Sequence, residues 1–95
     1  MFLGLTLIYS EIVYDSEVNM VDACVLIRTE KGKFIDVIEK IKGLENVVDA
    51  YPILGRFDVV VHLSVPDSKE LGRHVLKIGN MAGVVFTETL VEVEK

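Results

Sequence analysis

Tryptophan is absent from these 95 residues, cysteine occurs once and proline twice, and the first nineteen residues hold no lysine or arginine. The lone Cys24 excludes an intramolecular disulfide framework and a cysteine-rich zinc site within one chain. Seven glycines without regular spacing exclude collagen-like and linker-like chains. Basic residues are in the minority, ten against fifteen acids, for a formal charge of -5 at pH 7. Free-standing nucleic-acid binding relies on Lys and Arg to neutralise phosphates, so direct binding of DNA or RNA is not expected. The sequence lacks the run of about 18 apolar residues that a membrane span requires, and its start lacks the basic region of a secretory signal. What is present is apolar: 51% of the residues are hydrophobic, which excludes an intrinsically disordered chain. The length suits one domain with one core. The expectation is a cytoplasmic α/β domain.

Residues 1–19 stand apart as an N-terminal extension. They contain Glu11, Asp15 and Glu17, and Phe2 to Tyr14 is rich in β-branched and aromatic residues. Two readings are open: an extra strand pairing with a sheet edge or another subunit, or a prefix ahead of a true start at Met20. The patterned domain is expected over residues 20–95. Val21, Ala23, Val25 and Ile27 alternate as in a strand, then Phe34, Val37, Ile38 and Ile41 recur at helical spacing. Gly43 suits a helix C-cap. Val47 to Leu54 and Phe57 to Val65 read as strands joined by a short turn at Leu54-Gly55-Arg56. Asp67 or Ser68 is placed to cap a second helix with Leu71, Val75, Ile78 and Ala82 as its buried stripe, and a last strand runs from Val84 to about Val93.

These elements repeat. Val21-Asp22 matches Phe57-Asp58, and Asn46-Val47-Val48 matches Gly83-Val84-Val85, so the chain reads as strand, helix, strand twice over. Right-handed crossovers then favour an α+β ferredoxin-like βαββαβ sandwich, a four-stranded antiparallel sheet with both helices on one face. The second face keeps apolar residues that two helices cannot cover, which predicts sheet-on-sheet pairing as a homodimer, a dimeric α/β barrel.

The sequence offers little catalytic or metal chemistry. His62 and His74 lack partners at metal-ligand spacing, so no metal site and no cofactor are expected. His74 reads as part of a solvated helix face and His62 as an interface residue, while Cys24 reads as a small buried hydrophobe. Asp22 and Asp58 are repeat-related and are placed to face each other across paired strands, a weak acid/base signal. No catalytic residue is assigned. The segment Tyr51-Pro52-Ile53-Leu54-Gly55-Arg56-Phe57-Asp58 leaves two readings open: a plain hairpin whose residues serve geometry, or a cradle for a zwitterion. In the cradle, Arg56 or the turn amides take a carboxylate and Asp58 takes an ammonium.

Three motifs in order carry a family resemblance: Val-Asp-Ala-Cys-Val-Leu-Ile from Val21, Gly55-Arg56-Phe57-Asp58, and Gly83-Val84-Val85-Phe86-Thr87-Glu88-Thr89. Together, over Val21 to about Glu94, they resemble the RAM (regulation of amino-acid metabolism) domain, the effector-binding domain of the Lrp/AsnC transcriptional regulators. The resemblance implies a homodimer with facing sheets, assembled further into an octamer of four dimers, with an amino-acid effector bound between dimers. Carried over by position, the implied ligand-binding residues are Tyr51, Leu54, Gly55, Arg56, Phe57 and Asp58, with Thr87 on the last strand. Leu54 departs from the polar residue many relatives carry before this glycine, which bears on the effector's identity. Full-length members place a helix-turn-helix domain ahead of this one, and residues 1–19 have neither the charge nor the periodicity for it. The expectation is a stand-alone effector-sensing domain in transcriptional regulation, with a full-length Lrp/AsnC regulator as a further partner. The alternative is a small dimeric α/β-barrel enzyme, monooxygenase-like or isomerase-like, using a pocket lined by His62 or Asp22; fold alone does not decide between them.

Overall fold

The computed structural model describes residues 20–93. Its elements are β1 (Val21–Thr29), α1 (Phe34–Lys42), β2 (Val47–Pro52), β3 (Val59–Val65), α2 (Ser68–Gly79) and β4 (Val84–Val91). All strand pairs are antiparallel, in the order β2-β3-β1-β4. This is the ferredoxin-like βαββαβ arrangement. The expected extra strand within residues 1–19 lies outside the described residues.

β1 and β3 are the middle strands of the sheet, and period-2 alternation gives each of them one buried face. Val25, Ile27, Val59, Val61, Leu63 and Val65 all project into the helix-covered side, where they are fully buried with Val37 and Ile41 of α1 and Ile78 of α2. Burying each such side chain is worth about 1.5–3 kcal/mol. Both helices expose their charged faces. Asp67 caps α2, its carboxylate accepting from the Glu70 N–H at 2.8 Å, which satisfies one of the helix's unpaired donors. Gly43 does end α1, in a right-handed conformation.

Several details differ from the sequence reading. The α2 stripe consists of Leu71 and Ile78 with Val75 partly buried; Ala82 is exposed, and Met81 packs against the core in its place. His74 is not simply solvated. Its Nδ1 lies 2.9 Å from the Glu70 carbonyl oxygen and its Nε2 2.9 Å from that of Glu45, so it bridges α2 to the turn after α1. Asp22 pairs with Ser64, whereas Asp58 lies beside Ile27 at the opposite end of β1, so the two carboxylates do not face each other. The last strand ends at Val91. β2 stops at Pro52 and β3 begins at Val59, so the turn between them is longer than expected and runs from Ile53 to Asp58.

The internal repeat is visible in the backbone. Asn46 (φ +69°) and Gly83 (φ +96°), matched by sequence, both adopt the left-handed conformation where a helix hands over to a strand. Each turn is then pinned to the other repeat: the Ser64 N–H of β3 donates to the Asn46 carbonyl, and the N–H of Glu30, just past β1, to that of Gly83.

Candidate functional site

Antiparallel pairing of β1 with β3 brings the C-terminal end of β1 beside the β2–β3 connection, where five of the seven predicted ligand-binding residues lie. The Ile53 N–H donates to the Asp58 carbonyl at 2.9 Å and closes the loop. Gly55 has φ +131°, a conformation side chains rarely allow, and a Cβ there would meet nothing within 4 Å. Leu54 beside it is fully exposed.

The second arm of the loop is tied to β1 at three successive residues. The Arg28 guanidinium donates from Nε (3.2 Å) and Nη2 (2.9 Å) to the Arg56 carbonyl. It also lies over the Phe57 ring, 5.8 Å from its centroid. Phe57 stacks in turn on Phe86 of β4, with centroids 6.2 Å apart and planes at 17°. The Asp58 carboxylate accepts at Oδ2 from the Thr29 N–H (2.8 Å) and hydroxyl (3.3 Å), and the Asp58 N–H donates to Ile27. Among the described residues nothing hydrogen-bonds Oδ1 of Asp58. The Arg56 side chain is exposed.

The other two predicted residues sit apart from this loop. Tyr51 lies on the helix-free face of the sheet, where its hydroxyl is 3.1 Å from His62 Nε2. Thr87 is paired with Ile27 and so faces the helices, because residues directly opposite share a face. Its neighbour Phe86 is the β4 residue that meets the hairpin. Sequence reasoning passed over Arg28, Thr29 and Phe86. A signal existed for Arg28: alternation along β1 puts it on the helix-free face, and the strand pairing places that end of β1 at the hairpin.

The helix-free face also carries a cavity of about 570 Å³, lined by Asp22, Cys24, Val48, Asp49, His62, Leu90 and Glu92 among others. None of the predicted ligand-binding residues lines it. Burial pushes the Cys24 thiol above its ordinary pKa, favouring the neutral form. Among the described residues, no three His, Cys, Asp or Glu side chains are grouped to hold a metal ion. No helix among them is long and apolar enough to cross a membrane.

A family model described as the Lrp/AsnC ligand binding domain matches residues 22–95. The HTH-type transcriptional regulator FL11 of Pyrococcus furiosus is 30% identical over 69 residues, covering 73% of this chain and 46% of the regulator. The chain therefore spans about half the length of the curated relatives it matches. The crystal structure of TTHA0845 from Thermus thermophilus superposes with a TM-score of 0.75 at 32% identity, covering 79% of this chain and 95% of that one. The regulator NMB0573 from Neisseria meningitidis, solved as an L-Met complex, shares the fold alone, with a TM-score of 0.75 at 15% identity over 99% of this chain and 65% of that one. With a family match running through all six elements and the gripped hairpin, the chain belongs to the Lrp/AsnC family as its ligand-binding domain.

Proposed function

We propose that this domain binds a free amino acid at the β2–β3 hairpin and, through its state of assembly, serves amino-acid-responsive control of transcription. The observation that carries this reading is the hairpin itself: one arm is fixed to β1, while Gly55, the Arg56 side chain and Asp58 Oδ1 are left for a ligand. Backbone N–H groups and Arg56 suit a carboxylate, and Asp58 suits an ammonium. The family supports the same chemistry, and the NMB0573 structure shows the fold in a regulator holding L-Met. Assembly follows from the helix-free sheet face, where Val48, Phe86 and Leu90 remain exposed. Two copies pairing these faces make a dimeric α/β barrel, and dimers associating further, up to four, would place hairpins at their contacts. A ligand that favours one assembly shifts the population toward it. A full-length regulator of the family is the natural partner for conveying that shift to DNA.

Calorimetric titration of the assembled protein with each of the twenty amino acids tests this. Saturable heat from one or a few of them is expected, lost in Asp58→Ala. Absence of heat from all twenty at millimolar ligand would sink the sensing role.

One observation favours a second reading, a small dimeric α/β-barrel enzyme: the cavity on the sheet face is lined by both His62 and Asp22. The same titrations separate the two. Sensing predicts that His62→Ala binds like the wild type, whereas a ligand lost with His62 and indifferent to Asp58 belongs in the cavity.

A further inference from the structure

Arg28 spends two of its five N–H donors on one backbone carbonyl in an exposed loop. That fork fixes the plane of the peptide joining Arg56 to Phe57. Among the described residues every peptide bond is trans, and in a planar trans peptide the N–H points opposite to the C=O. With the Arg56 carbonyl turned toward Arg28, the Phe57 N–H is turned away from β1, and among the described residues it donates to no backbone or side-chain acceptor. Two further contacts brace this arrangement. The Phe57 ring is held between the Arg28 guanidinium and Phe86, and Asp58 is tied to Thr29. The adjoining tip at Leu54 and Gly55 has no such restraint.

From this geometry we infer that Arg28 is a positioning residue of the amino-acid site, orienting the Phe57 N–H as a donor to the ligand's carboxylate. The inference rests on the amino-acid-binding reading and deepens it. Arg28 acts through the backbone: it sets which way a peptide dipole faces, and a donor aligned before binding costs the ligand no reorganisation. Substitution therefore disorders the donor while leaving the core composition intact, because the Arg28 side chain is exposed and is not part of the buried cluster.

The test uses Arg28→Met, which keeps a stem of similar reach without donors, and Arg28→Lys, which keeps a cation and N–H donors but not the planar fork. In nitrogen-15 NMR of the unliganded protein, Arg28→Met should broaden or multiply the Phe57 amide resonance and lower the order of residues 55–57. Val61 and Leu63 amides and Tm should stay at wild-type values. In titrations with whichever of the twenty amino acids binds the wild type best, Arg28→Met should weaken binding by about tenfold or more, and Arg28→Lys should recover part of it. The α-carboxamide of that amino acid should bind both proteins equally weakly, since the oriented donor is aimed at the carboxylate; a merely structural role would lower both ligands alike. Unchanged order at residues 55–57 in Arg28→Met overturns the inference, as does wild-type affinity for the amino acid. If the wild type binds none of the twenty, the sensing reading falls, and the NMR comparison, which needs no ligand, still decides whether Arg28 sets the hairpin.

Discussion

Asp58 is the residue on which the two readings of the hairpin, geometry and chemistry, meet. Read as letters, a glycine turn followed by an aspartate is either a structural hairpin or a ligand cradle, and the structure shows the first role at one oxygen: Oδ2 accepts from Thr29, while nothing among the described residues hydrogen-bonds Oδ1. The sequence named the turn and its acid because Gly, Arg and Asp have recognisable uses. For Arg28 the alternation of β1 marked the face but not the partner, since an arginine at the end of a strand carries no local mark of the carbonyl it will meet at a separation of 28 residues. Cys24 gives a sharper test at this scale. It lies between His62 and Leu90 on the helix-free face, and burial raises its thiol pKa. Only the thiolate attacks an alkylating agent, so a raised pKa means less of the reactive form at a given pH. Iodoacetamide at about pH 8 should modify Cys24 several times more slowly in the folded protein than in the denatured one; equal rates would mean that the fold gives it no protection. The sign carries over to stability. A neutral thiol favoured by the fold contributes below the thiol's ordinary pKa, and that contribution is lost as pH rises through the raised value.

At the scale of elements, the strands and helices were legible where a single period runs uninterrupted, as along β1, and blurred where apolar residues continue past the end of an element. Phe57 is the instructive case. It prolongs the alternation of β3 by one step, so the pattern counts it as strand, yet its ring faces Arg28 and Phe86. The repeat was legible too, and the backbone explains why its turns differ in chemistry. Asn46 and Gly83 hold the same left-handed conformation, which asparagine tolerates and glycine adopts freely. Only Gly83 is also crowded: a Cβ there would lie 3.1 Å from Val37 Cγ2 and 3.3 Å from Lys33 Cβ. Gly83→Ala therefore meets both backbone strain and a packed, fully buried neighbour, and should cost about 1–3 kcal/mol. Asn46→Gly keeps the conformation and should change stability by about 1 kcal/mol or less. Urea denaturation of the two variants checks the contrast, and an unshifted midpoint for Gly83→Ala would show that the turn relaxes.

For the whole molecule, the deciding feature is a sheet with one face under helices and one face bare. Composition already implied more apolar surface than one helix layer can cover; it did not reveal how mixed the bare face is, because which strand lies next to which is a property of topology. Along that face the carboxylates Asp22, Asp49 and Glu88 outnumber the cation Arg28 and share the surface with Val48, Phe86 and Leu90. Three of the chain's fifteen acids fall instead among residues 1–19, so the overall charge of the chain is a poor guide to this surface. Pairing two such faces buries the apolar residues and also brings like-charged carboxylates together around them. Added salt screens that repulsion while leaving the apolar contact intact, so a dimer paired through this face, as proposed, should tighten between about 50 mM and 500 mM salt, opposite to an interface built on ion pairs. Leu90 makes the cleanest probe. It is 49% exposed and stands outside the helix-side core, so Leu90→Lys should leave the thermal transition of the single chain nearly unchanged while setting a charge in the middle of the joined sheets. Sedimentation at about 10 µM should then give the mass of one chain, 10.6 kDa, where the wild type gives a multiple of it. A Leu90→Lys protein that keeps the wild-type mass would move the interface off this face and, with it, the barrel.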